Sequence, residues 1–237
     1  MNILGIESSA KTASVALLSE GRIAGEFTVS SGFTHSQSLL PMLDTLLQST
    51  GFSLGGIDLF AVAAGPGSFT GLRIGISLTK SLAMAKNKPC IAVSSLEALA
   101  YNCAAFNGVI CAAMDARRGQ VYMALFQSKK GRISRLCGGE AILAEDLQKR
   151  LKKHRRNIMF VGDGAELCYS ESAGKRGLIA PENSRFQKAS SVCLLAAAML
   201  ENGGETVSAA ELAPFYLRLP QAERERMERE TARNLSK

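Results

Sequence analysis

The sequence predicts an α/β protein built from two related halves, each around a mixed central sheet, with the second half degenerate. Three observations predict it. Strand-like and helix-like stretches alternate along the chain. The opening stretch NILGIESSAKTASVALLSEGRIA returns 108 residues later as GVICAAMDARRGQVYMALFQSKKGRIS. Between the two, AVAAGPGSFTGLRIGISLTK, from Ala61 to Lys80, reads as a buried strand, a tight glycine turn and the start of a helix.

The first half opens with strands Asn2–Glu7, Thr12–Ser19 and Arg22–Val29, the last two joined by the polar turn Ser19-Glu20-Gly21. Thr34 or Ser36 caps a helix running to about Thr50. Its apolar residues (Leu39, Leu40, Met42, Leu43, Leu46, Leu47) cover an arc of roughly 160°, wider than one sheet contact requires. Pro41 falls near the first turns, where its missing N–H costs least. Ile57–Ala64 is the next strand, followed by a helix from Gly71 to about Ala85 that is apolar nearly all round. Pro89–Val93 is a strand, and Ser94 or Ser95 caps a helix to about Asn107.

In the turn itself, Gly65 and Gly67 allow backbone angles that a side chain forbids, and Ser68 and Thr70 can cap the helix. Two readings fit. Gly65, Gly67, Ser68, Thr70 and Gly71 form either a well-made strand-to-helix turn or a phosphate-facing loop at a positive helix end. No Lys follows Gly71, and Thr70 stands where a dinucleotide fingerprint needs its third glycine, so neither common phosphate motif is present.

In the repeat, Glu7 falls on Asp115 and Ala16-Leu17 on Ala124-Leu125; after a two-residue insertion in the turn, Gly21-Arg22-Ile23 falls on Gly131-Arg132-Ile133. The boundary therefore lies at Asn107-Gly108, giving halves 1–107 and 108–219 and a charged tail 220–237. The second half continues with a helix Ala144–His154, a strand Ile158–Gly162, a turn Gly162-Asp163-Gly164 and a helix Ser190–Glu201. Glu211–Leu219 is short and extended, and Gln221–Arg233 alternates four Glu with four Arg, a solvated helix or a frayed end.

Composition narrows the function. The net charge of +7 lies wholly in residues 109–237, with 22 basic and 15 acidic side chains against six and six before them. Its densest piece, Lys149–Arg156, is either a solvated helix end or a nucleic-acid footprint, and the lack of interleaved aromatics favours the first. Glu7 and Lys11 interrupt any apolar signal core, and the longest apolar run, Val192–Leu200, is too short to span a bilayer. Six cysteines (Cys90, Cys103, Cys111, Cys137, Cys168, Cys193) without metal-ligand spacing point to reduced thiols in a cytoplasmic protein. The only histidines, His35 and His154, are far apart, so no HxxxH pair exists.

Two related halves, each opening with a hairpin and an acid at its first strand end, resemble the actin-like ATPase (ribonuclease H-like) architecture. There nucleotide sits between the halves and the two acids flank its metal. GPGSFTGLRIG (Gly65–Gly75), DARRGQVY (Asp115–Tyr122) and PFYLR (Pro214–Arg218) together narrow this to a resemblance to the TsaB (YeaZ) family, over Asn2 to about Glu223. The resemblance implies a subunit of tRNA threonylcarbamoyladenosine synthesis. It would act beside TsaD, which transfers the threonylcarbamoyl group to the adenosine next to the anticodon in tRNAs reading codons that begin with A. TsaE joins as an ATPase, and tRNA is met through the complex. The metal-binding HxxxH positions of the catalytic paralogue correspond here to Ser95 and Leu99, which cannot replace imidazoles as ligands.

The expectation is thus a non-catalytic partner subunit with no cofactor, no metal and no membrane association. The competing reading, an actin-like ATP-dependent phosphotransferase, needs a phosphate loop in the second half, where only Gly162-Asp163-Gly164 is available. Glu7 and Asp115 are read as groove acids that either hold a hard cation or cap a turn. The partner interface, shared by TsaD and a second copy of the chain, is expected on the first two helices: His35, Leu39, Met42, Leu46, Gly71, Arg73, Gly75 and Ile76, with the two glycines admitting a neighbouring helix.

Overall fold

The computed structural model describes residues 1–30, 32–154, 157–172 and 177–218. The first sheet contains β1 (Asn2–Glu7), β2 (Ala13–Ser19), β3 (Arg22–Val29), β4 (Leu59–Gly65) and β5 (Cys90–Ser94), in the order β3-β2-β1-β4-β5. β1, β2 and β3 form an antiparallel meander, while β4 and β5 continue parallel to β1. The crossovers carry α1 (His35–Thr50) and α2 (Phe69–Lys86).

The second sheet repeats this plan. β6 (Gly108–Arg117), β7 (Gln120–Lys129) and β8 (Arg132–Arg135) form the meander, and β10 (Ile158–Val161) and β11 (Gly177–Ile179) follow parallel to β6. The order β11-β10-β6-β7-β8 mirrors the first sheet strand for strand, with β9 (Glu140–Leu143) added against the start of β7. The fold is the expected pair of related mixed sheets.

The repeat is one residue out of the sequence register in its opening strand. Gly5 pairs with Ala16, but Ala124, the counterpart of Ala16, pairs with Ala112. Met114 therefore stands where Glu7 stands, and Asp115 matches Ser8. Side chains alternate across a strand, so the slip puts the two acids on opposite faces. A tighter hairpin with a bulge at Asp115/Arg117 absorbs the difference. The two-residue insertion likewise lies in the strand rather than in the turn: both turns have two residues, Glu20-Gly21 and Lys130-Gly131.

The cut at 107/108 separates the sheets but not their packing. α3 (Ser95–Tyr101) buries Leu96, Leu99 and Ala100 against Ile110, Ala112 and Phe126 of the second sheet. Conversely α7 (Ala189–Glu201) buries Val192, Cys193 and Ala196 against Ile3, Ala16 and Ala61 of the first. Segment 207–216 also returns to the first half, where Val207 bridges Cys90 and the Phe215 N–H donates to the Ala64 carbonyl at 2.7 Å. Each half thus owns a helix of the other.

Two helices are shorter than predicted. α3 stops at Tyr101 rather than Asn107, because Asn102 is held sideways: its Nδ2 donates to the Phe186 carbonyl and its Oδ1 accepts from Ser191. The predicted Ala144–His154 helix is a 3-10 turn (Ala144–Asp146) followed by α4 (Leu147–Leu151). α5 (Ala165–Glu171) and α6 (Glu182–Arg185) complete the described elements. The tail 220–237 lies outside the described residues.

Candidate functional site

The glycine turn after β4 stands between two concavities. One is a groove of about 380 Å³ between the sheets, lined by Lys11, Ser68, Asp115, Asp163, Tyr216 and Arg218 among others. The second, about 570 Å³, is an open and largely apolar groove between α1 and α2.

The turn is shaped by close packing. Gly65 has φ +132°, and a Cβ there would stand 2.1 Å from the Phe215 carbonyl oxygen. The Ser68 N–H donates to the Ser9 carbonyl at 2.7 Å, and the Ser68 hydroxyl caps α2 by accepting from the Gly71 N–H at 3.2 Å. Of the five residues grouped as a phosphate-facing loop, only Gly67 and Ser68 line the inter-sheet groove. Gly65 and Gly71 are buried, and Thr70 faces the α1/α2 groove. In the second turn the Gly162 N–H donates to the Arg185 carbonyl and the Gly164 N–H to that of Ala113. Both turns direct backbone donors at protein carbonyls.

The groove acids are not a pair. Asp115 lines the groove, but Glu7 is only 1% exposed and lies beneath it. Burial pushes the Glu7 carboxyl up to about 7, against a 2.6 Å hydrogen bond from the Ser9 N–H. The acid that lines the groove with Asp115 is Asp163, which the sequence reading placed in the candidate second phosphate loop, Gly162-Asp163-Gly164. Burial raises its pKa, and Gln187 Nε2 donates to it at 3.2 Å. Among the described residues, no three His, Cys, Asp or Glu side chains stand together as metal ligands. Ser95 and Leu99 are both buried on α3. No helix among the described residues is long and apolar enough to cross a membrane.

The expected interface residues divide by face. Met42, Leu46 and Ile76 pack in the core, with Leu46 fully buried. The wide apolar arc of α1 is accounted for internally: one side covers β2 and β3, and the next meets α2. Gly71 and Gly75 admit the loop after β1 rather than a neighbouring helix; Cβ atoms there would stand 2.1 Å from the Ser8 carbonyl oxygen and 2.2 Å from the Ser8 Oγ. Leu39, His35 and Arg73 do line the α1/α2 groove, and the His35 Nε2–H donates to the Ala10 carbonyl at 2.8 Å. The sequence reading missed Leu40, 55% exposed, together with Ile74 and Leu78, the partly buried flank of the same groove.

A two-sheet α/β chain with these turns falls in the class that a family model describes as "TsaD: tRNA N6-adenosine threonylcarbamoyltransferase", which matches residues 30–226. Within that class the chain belongs to the TsaB family. It is 34% identical over 226 residues to the tRNA threonylcarbamoyladenosine biosynthesis protein TsaB of Bacillus subtilis (strain 168), across 94% of this chain and 96% of that one. The solved YeaZ from Pseudomonas aeruginosa matches with a TM-score of 0.80 at 31% identity, over 91% of this chain and 99% of that one. A shorter match reaches the tRNA N6-adenosine threonylcarbamoyltransferase of Erythrobacter litoralis (strain HTCC2594), 32% identical over 111 residues, or 40% of this chain and 32% of that one.

Proposed function

We propose that this chain is the non-catalytic partner subunit of tRNA threonylcarbamoyladenosine synthesis in the cytoplasm, and that it docks on TsaD through the α1/α2 groove to support threonylcarbamoyl transfer. The observation that carries the reading is the open apolar groove between α1 and α2 in a chain of this family. The partial likeness to a threonylcarbamoyltransferase supports a partner of related build, so that two similar helix pairs meet about a pseudo-twofold axis. A second copy of the chain would use the same groove and compete. TsaE completes the assembly, and tRNA is contacted through the complex.

The non-catalytic assignment is supported by Ser95 and Leu99 in place of a histidine pair, and by the second glycine turn, where the Gly162 and Gly164 N–H groups donate to the carbonyls of Arg185 and Ala113. Size-exclusion chromatography of the chain with its cognate TsaD tests the reading. Leu40→Glu is expected to leave the chain folded and abolish co-elution, because the carboxylate would have to be desolvated in the groove. Co-elution unaffected by Leu40→Glu would place the interface elsewhere.

A further inference from the structure

Phe69 and Arg73 are one turn apart on α2 and so share a face. The Arg73 guanidinium carbon lies 3.8 Å from the Phe69 ring centroid, and the Phe69 ring lies 4.9 Å from that of Tyr216. Arg73 Nε–H donates to the Tyr216 hydroxyl at 3.1 Å. The tyrosine comes from a segment 143 residues away, anchored by the Phe215 N–H to the Ala64 carbonyl. The guanidinium is therefore fixed from two sides while remaining exposed on the rim of the α1/α2 groove. Its two terminal nitrogens have no acceptor among the described residues, and no acid lines that groove.

We infer that Arg73 is the carboxylate receptor of this docking face and that Tyr216 is the positioning residue presenting it. The inference rests on the proposal that TsaD docks at the groove. A planar fork with free terminal N–H groups matches a carboxylate with two parallel hydrogen bonds. An arginine held by stacking and by its Nε bond loses little further rotamer freedom on pairing, which favours binding. The partner therefore presents an Asp or Glu side chain beside the apolar residue that enters the groove. Tyr216 itself touches the partner's carboxylate only through Arg73.

A double-mutant cycle on the full chain with its cognate TsaD tests this, reading the dissociation constant by calorimetry at two salt concentrations. Arg73→Ala is expected to weaken binding about tenfold or more and to flatten its salt dependence. Arg73→Lys should recover little, having no fork. Tyr216→Phe keeps the ring and removes the acceptor; we expect a loss of about threefold that disappears in the Arg73→Ala background. Binding within twofold of wild type for Arg73→Ala, or a Tyr216→Phe effect that persists without Arg73, overturns the inference. So does a loss confined to tRNA binding by the complex, which would make the receptor one for phosphate. If Leu40→Glu abolishes binding while Arg73→Ala does not, the receptor inference alone fails; if neither acts, the docking proposal fails with it.

Discussion

The Ser8 hydroxyl lies in the notch left by Gly75: it donates to the Gly71 carbonyl at 2.9 Å, and a Cβ at position 75 would stand 2.2 Å from its oxygen. The small residues of α2 thus seat the loop after β1 against the helix and fix the entry to the inter-sheet groove. Gly75→Ala is expected to cost about 2 kcal/mol in urea unfolding, in the range of other overpacked sites. Ser8→Ala should recover part of that loss, since it removes the obstructing oxygen. Gly138→Ala, where a Cβ meets nothing within 4 Å, is the control and should melt near wild type.

Leu40 and Leu46 sit on the same helix yet should respond oppositely to charge. Leu46 is fully buried, so Leu46→Glu places a carboxylate in the core and should unfold the chain or lower its melting temperature steeply. Leu40→Glu should melt within a few degrees of wild type. Circular dichroism melts of both, set beside TsaD co-elution, separate a folding defect from a docking defect.

Glu7 should give the stability a pH slope of unusual sign for a carboxylate. Its folded pKa, about 7, exceeds the value of 4.5 taken for the free side chain. Between those values the native state holds a proton that the unfolded state has released, so stability falls as pH rises from 4.5 to 7 and then levels. The loss approaches about 3 kcal/mol relative to a group that does not titrate. Urea midpoints of wild type and Glu7→Gln across this range should diverge with pH. Parallel profiles would mean that Glu7 ionises in the native state as easily as in the unfolded one.

Much of the fold was legible because its signals are local. β1 and β3 match their predicted spans, and the cap at Thr34, the turn at Glu20-Gly21 and the glycine break after β4 mark element ends through backbone chemistry. What the sequence did not reveal depends on partners remote in the chain. The apolar arc of α1 suggested an uncovered face because periodicity cannot count the neighbours a helix has; a sheet and α2 cover most of it. The one-residue slip between Glu7 and Asp115 escaped because both strands are apolar at nearly every position, so either register looks equally buried. The Arg73–Tyr216 contact joins two motifs noticed separately, PFYLR and the α2 start, but no spacing rule links residues 143 apart.

The basic run from Lys149 is the remaining place where charge resembles a nucleic-acid site. The structure gives two of its described cations internal partners: Lys149 Nζ lies 2.6 Å from Asp146 Oδ1, and Arg150 lies 2.5 Å from Glu140 Oε2. The Asp146 carboxylate also raises the Lys149 pKa, through its hydrogen bond first and its charge second. Leu147 and Leu151 are buried on the same short helix, so its polar side is the solvated face of a packed element. Arg155 and Arg156 lie outside the described residues. A cation already paired on the surface releases fewer counterions from nucleic acid than a free one, because its own acid must be displaced first. Charge reversal at Lys149 and Arg150 together is therefore expected to change tRNA binding by the assembled complex less than about threefold, and to leave the slope of log K against log salt within one unit of wild type. Filter binding at several salt concentrations, with the heterodimer checked by size exclusion, measures both. A drop of tenfold or more with a flattened slope would make this helix a phosphate-contacting surface.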